Sequence, residues 1–222
     1  MKLNRLMGFT PSKEFEPIPT GFINLDAVIT GLPVGQLSIV GARPGLGRTA
    51  FAISLLRNIG VLHTVSSAFL SLQHTEQEVL SRMKASLDGC HDREIVASEE
   101  PEEKKSVPQW MKEAPVWIEH APAMTLNEII SRMERHSQEN NVRVFLIDSL
   151  QWLIVSDDYA EQSNGLLLLY EAAHRLQAAV VLTTNMNRSV ETRNGFKRPM
   201  LIDLPDKDLK KMDTFASLVM FI

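Results

Sequence analysis

The stretch QLSIVGARPGLGRTA, Gln36–Ala50, decides the fold. Gln36–Gly41 is an apolar run bounded by turn residues and reads as a buried strand. Ala42–Thr49 (ARPGLGRT) is a connector rich in Gly and Pro. Beyond it Phe51, Ile53, Leu55, Leu56 and Ile59 recur at a helical period, which predicts a helix over Thr49–Ile59. Strand, loop and helix form the setting of the phosphate-binding pattern G-x-x-x-x-G-K-[ST]. There, backbone amides and the positive end of the helix dipole favour an anion. Gly47 permits the turn, and the Thr49 hydroxyl is a candidate ligand for Mg²⁺. Two positions depart from the pattern: Ala42 replaces the first glycine and Arg48 replaces the lysine. Lysine is a compact point charge, whereas arginine carries its charge on a broad planar fork, so the exchange is not conservative at a tight site. A Gly/Pro turn that holds no ligand is the alternative reading of the same residues.

Working outward, strands and helices alternate. Ala68–Leu72 is expected to be a strand. Thr75–Leu87 is expected to be a helix opened by the capping box Thr75-x-x-Glu78. Val116–Glu119 reads as a short strand. Thr125–Gln138 reads as a helix with a second box, Thr125-x-x-Glu128, and Leu126, Ile129, Ile130 and Met133 on one face. Val142–Asp148 is a strand that closes on an acid, Glu161–Gln177 a helix, Ala178–Thr184 a strand, and Leu218–Ile222 the start of another. This alternation implies βαβ units: an α/β fold with a twisted, mostly parallel sheet and helices on both faces. Asp148, at the end of an apolar strand, stands where an acid orders Mg²⁺; a cap after the strand is its structural alternative. Residues 1–17 read as an arm or linker. Cys90–Glu113 holds seven acids against four bases and reads as a solvated connector. The apolar run Val219–Ile222 suggests a clipped or shortened chain.

The composition excludes several classes. Of 222 residues, 44% are hydrophobic and 23% charged, which argues against wholesale disorder. Lys and Arg total 23 against 27 Asp and Glu, a net charge of −4, so bulk positive charge does not drive nucleic-acid binding. A single cysteine, Cys90, allows no intrachain disulfide and fits a reducing cytoplasm. No apolar run is long enough to span a bilayer, so no membrane partner is expected.

The residues around this frame resemble the C-terminal motor domain of DnaB-type replicative helicases, within the RecA-like ATPases. Three stretches carry the resemblance. The first is Ile18-Pro19-Thr20-Gly21-Phe22 with Leu25-Asp26, Gly31-Leu32 and the Ala42–Phe51 loop. The second is Leu146-Ile147-Asp148 with Leu150-Gln151. The third runs from Asn187-Arg188-Ser189-Val190-Glu191 through Arg193 and Lys197-Arg198-Pro199-Met200-Leu201 to Asp203-Leu204. The resemblance spans about residues 18–222 and implies one RecA-like domain there. It implies a hexameric, ATP-driven translocase on single-stranded DNA. In that scheme Arg43, Pro44, Gly45, Gly47, Arg48, Thr49, Ala50 and Asn185 would contact nucleotide, and Thr49 and Asp148 would serve Mg²⁺. Arg188, Arg193, Lys197 and Arg198 would face DNA, within the sensor and channel region Asn187–Leu204.

This chain departs from the family at several of those points. The catalytic glutamate of a Ser-Leu-Glu context reads Ser71-Leu72-Gln73, and an amide takes no proton from water. The sensor glutamine is Asn185, and the channel loop Arg-Glu-Ser-Gly is replaced by Pro205-Asp206-Lys207-Asp208. The strands that carry the arginine finger would lie beyond Ile222, and a finger is worth roughly 10³–10⁵ in rate. By the same resemblance, a primase-docking N-terminal domain would lie ahead of the matched region.

The expectation is a DnaB-like domain linked to DNA replication that binds ATP or ADP weakly with Mg²⁺, hydrolyses little or none, and works beside DNA, helicase or other replication proteins, or copies of itself. An active helicase motor and a partner-binding module that has lost nucleotide are the alternatives.

Smaller features read more plainly. The seven bases between Arg188 and Lys211 are offset by five acids between Glu191 and Asp213, so a solvated loop competes with DNA contact. The six histidines show no metal-ligand helix spacing. His74 is a substitute base or, more simply, a packed side chain. Trp110, Trp117 and Trp152 are expected in core or interface.

Overall fold

Every residue of the strand β1 (Leu37–Ala42) is buried, as the uninterrupted apolar run requires of a strand covered on both faces. The computed structural model describes residues 15–88, 113–153, 159–187, 189–193, 198–204 and 215–222. Most of the arm (1–14), most of the connector (90–112), Arg188, Lys197, Trp110 and the segment 205–214 lie outside the described residues.

β1 belongs to a six-stranded sheet with β2 (Ser67–Ser71), β3 (Val116–His120), β4 (Val144–Asp148), β5 (Ala179–Asn185) and β6 (Ala216–Phe221). The spatial order is β3-β2-β4-β5-β1-β6 and every pairing is parallel. All carboxyl ends therefore share one rim. The register sets Ala42 beside Asn185 and Ser71 beside Asp148.

Alternation within the strands makes two cores. Leu37, Ile39, Leu70, Phe145, Ile147, Val180 and Leu182 face one side. They pack there against Ile129 and Met133 of α4 (Leu126–Asn140) and Leu166, Leu169, Ala172 and Ala173 of α5 (Tyr159–Leu176). Val40, Phe69, Val144, Leu146 and Val181 face the other side. They meet Ala52, Ile53, Leu55 and Leu56 of α2 (Arg48–Arg57) and Val79 and Met83 of α3 (Glu76–Asp88). Both capping boxes form: the Glu78 and Glu128 carboxylates accept from the backbone amides of Thr75 and Thr125 at 2.7 and 2.8 Å.

Three local features refine the sequence reading. α2 stops at Arg57 and gives way to a wide π turn over Asn58–Leu62. Asn58 is buried there and donates to the Thr20 carbonyl, while a Cβ on Gly60 would lie 2.2 Å from the Val116 side chain. Regular α-helix is thus traded for close packing on β3. Second, the stretch before β1 is structured. Ile18 and Leu32 exchange backbone hydrogen bonds at 2.9 and 2.7 Å and close a loop around the short helix α1 (Ile23–Ile29). The Asp26 carboxylate ties that loop by accepting from the Thr20 amide, the Thr20 hydroxyl and the Gly21 amide. Third, Trp152 is half exposed, whereas Trp117 packs against the core. Among the described residues no helix is long and apolar enough to cross a membrane.

Candidate phosphate-loop site

The loop between β1 and α2 sits on the carboxyl rim of the sheet. Gly45 and Gly47 adopt positive φ, +82° and +84°, and among the described residues nothing lies within 4 Å of where a Cβ would stand. Their glycines answer to backbone conformation, which favours Gly there, and not to crowding. Pro44, Gly45, Leu46, Gly47 and Ala50 are exposed, so the loop is open to solvent. Gly47 is the N-cap of α2 and offers no side-chain cap hydrogen bond. First-turn amides that the cap leaves untaken, with the dipole behind them, suit a phosphate.

The Arg48 side chain points elsewhere. Its Nη2 donates to Ser149 Oγ at 3.1 Å, and its Nη1 donates to Asn185 Oδ1 and approaches Gln151 Oε1 at 3.5 Å. Its Nε, which has no hydrogen-bond partner among the described residues, lies 3.4 Å from Asp148 Oδ1. The side chain is 13% exposed and that of Asp148 1%. Asp148 is engaged on both oxygens: Thr183 Oγ1 donates to Oδ1 at 2.5 Å and Thr49 Oγ1 to Oδ2 at 2.7 Å. Gln151 is oriented in turn by its own donation to Thr184 Oγ1 at 2.7 Å. The rims of β1, β4 and β5 are thereby knitted into one polar network.

The structure thus brings Arg48, Thr49, Asp148 and Asn185 into contact. Ser149, Gln151, Thr183 and Thr184 complete the network and were not singled out as site residues. The signal for the threonines was legible: hydroxyls at the carboxyl end of the otherwise aliphatic AAVVLTT. Arg43 is set apart from this group, 3.9 Å from Glu191, with both side chains well exposed. A pair of that kind contributes little.

Gln73 follows β2 and is exposed. The amide of the preceding residue, Leu72, donates to the Asp148 carbonyl at 2.8 Å, so the two chain segments are adjacent on the rim. His74 is held by its surroundings: its amide donates to Ser71 Oγ, its Nε2 meets Arg82 Nη1 at 3.4 Å, and its Nδ1 lies 3.9 Å from Glu78. Burial, then the Arg82 guanidinium, push its pKa below the ordinary histidine value, while Asp148 and Glu78 pull the other way.

Of the basic residues expected at DNA, Arg193 pairs with the buried Asp203, which also accepts from the Met200 amide. That pair ties the turn Leu201–Asp203 to the helical turn Ser189–Thr192, and Asn187 joins it through the Asp203 and Leu204 carbonyls. Arg198 is exposed. Arg188 and Lys197 lie outside the described residues.

A six-stranded parallel sheet in this order, with helices on both faces and the phosphate-type loop leaving β1, is a RecA-like ATPase fold. The chain belongs to the DnaB-like helicase C-terminal domain family, whose model matches residues 17–222. It is 31% identical over 226 residues to the replicative DNA helicase DnaB of Buchnera aphidicola subsp. Schizaphis graminum, covering 96% of this chain and 47% of that protein. It is 31% identical to DnaB of Haemophilus influenzae, covering 92% and 46%. The chain therefore spans about half the length of the relatives it matches. Among solved structures, a DnaB-like replicative helicase described with its primase interactions superposes with a TM-score of 0.80 at 25% identity, over 92% of this chain and 51% of that one. A second solved structure, described as an ATPase domain, superposes with a TM-score of 0.81 at 23% identity, over 95% and 77%.

Proposed function

We propose that this chain is a replication-linked, DnaB-like nucleotide-holding domain that binds ATP or ADP and turns it over slowly or not at all. The observation that carries the reading is the joint state of two positions. The loop cation, Arg48, is turned onto Asp148, and the position of the catalytic glutamate is an exposed glutamine, Gln73.

Phosphate would be held by the amides of the Gly45–Ala50 loop and the N-terminus of α2. Hydrolysis needs more: a base within reach of the attacking water and charge aimed at the transferring phosphoryl group. Gln73 takes no proton. His74 already has both ring nitrogens near charged partners. The guanidinium that would meet the phosphates is committed beneath the loop. The family implies Mg²⁺ beside the nucleotide, with Thr49 and Asp148 to hold it. These residues do not fit a divalent ion as they stand, because the single carboxylate already faces a guanidinium and two hydroxyl donors.

The surrounding role follows the family: work beside single-stranded DNA, another replication protein or further copies of the chain. Arg188, Lys197 and Arg198 are the bases proposed to approach DNA, whereas Arg193 positions the 187–204 segment. The partner-binding alternative draws support from α1, which buries no residue and leaves Ile23 86% and Val28 81% exposed.

Phosphate release from ATP, with and without single-stranded DNA, tests the proposal. Release at the level of a catalytically dead control in both conditions is expected. DNA-stimulated turnover within the ordinary enzymatic range of about 1–10³ s⁻¹ would overturn it.

A further inference from the structure

The contacts of Arg48 say more than that a phosphate loop is weakened. A residue serving phosphates would send its charge to the open face of the loop, where Gly45 and Gly47 leave clear space. Arg48 instead runs under the loop. It meets the Ser149 hydroxyl, the Asn185 and Gln151 amide oxygens and the Asp148 carboxylate, with the side chain only 13% exposed. These are oxygen atoms from the ends of two strands and the turn after β4, gathered around one positive group. That is the kind of oxygen set a hard cation takes. A guanidinium fills it with directional donors and a permanent charge.

We infer that Arg48 is the resident cation of this site: its guanidinium stands in for the divalent ion beside Asp148, so that a nucleoside di- or triphosphate is bound without a divalent metal. The inference rests on the reading that the loop holds a nucleotide. A lysine at the same position has no fork and cannot reach Ser149, Asn185 and Asp148 together. Arg48→Lys therefore takes the guanidinium off the Asp148 carboxylate, which keeps its two hydroxyl donors, and makes binding depend on the metal.

The test is calorimetric titration of ADP into the full chain, once with Mg²⁺ and once with EDTA. The unsubstituted protein is expected to give dissociation constants that agree within about twofold, whereas Arg48→Lys binds at least about tenfold tighter with Mg²⁺. Binding by the unsubstituted protein that is tenfold or more tighter with Mg²⁺ overturns the inference on the same scale. Absence of ADP binding in both buffers defeats the nucleotide reading, and the cation assignment is then decided without nucleotide. A urea-unfolding cycle of Arg48→Met, Asp148→Asn and the double variant is expected to show a coupling of about tenfold or more in the unfolding constant. Additive effects would mean that Arg48 is not the counter-ion of Asp148, and would overturn it.

Discussion

In the proposed function Gln73 and Arg48 depart from a working phosphoryl-transfer site in different ways, and the difference yields a prediction at the residue scale. Gln73 lacks a proton acceptor, which one substitution restores. Arg48 misdirects a charge and occupies a carboxylate, which a base alone does not undo. Gln73→Glu alone is expected to leave phosphate release within about threefold of the unsubstituted chain, while Gln73→Glu with Arg48→Lys raises it by about tenfold or more, the low end of what general-base catalysis supplies. Phosphate-release rates of the three proteins check this. Arg48 is legible as a departure because the loop motif fixes its position, whereas Gln73 is legible only through the family resemblance. Where the Arg48 side chain goes was not legible. Its partners Ser149, Gln151 and Asn185 lie about a hundred residues or more away in sequence, and only the parallel register of β1, β4 and β5 brings them to one rim.

At the scale of elements, the edge strand β3 is pinned to α4 by charge and hydrogen bonds. Glu119 pairs with Arg132 and Arg135 and accepts from His136 Nε2 at 3.0 Å, and Asn140 Nδ2 faces His136 Nδ1 at 3.1 Å. An amide donor at Nδ1 and a carboxylate at Nε2 suit the neutral ring. Burial, then the Arg135 charge, hold its pKa below the ordinary 6.5 despite Glu139. With the folded pKa below the unfolded one, the unfolded chain binds more protons between the two values, so stability is full above 6.5 and falls as pH drops through that window. His74 acts in the same sense. The urea midpoint is expected to fall between pH 7.5 and pH 5.5, and to fall less in His136→Gln; a midpoint that rises on acidification would refute this. Both capping boxes could be read from spacing alone, because their chemistry is local. α1 could not: it is seven residues long, buries none of them, and so shows no periodic face. Its place is set by Asp26 and the Ile18–Leu32 bridge, which are tertiary features.

Across the whole molecule, the layered sheet was legible because each buried strand carries its own apolar run and the helices that cover it carry apolar positions of their own. Alternation then divides the strand side chains between two cores. The sequence did not disclose the strand order, since parallel neighbours such as β1 and β5 are joined by no local signal. That order makes the site, because it puts the loop after β1 against the ends of β4 and β5. In the proposed function this frame keeps a nucleotide pocket while its chemistry is disabled. The most direct measurement is a calorimetric titration of ATP with Mg²⁺ into the protein, with the heat followed long after each addition. Saturable binding heat that returns to baseline is the predicted result. Heat that continues after saturation, from ongoing hydrolysis, would contradict the account, and so would the absence of any binding heat.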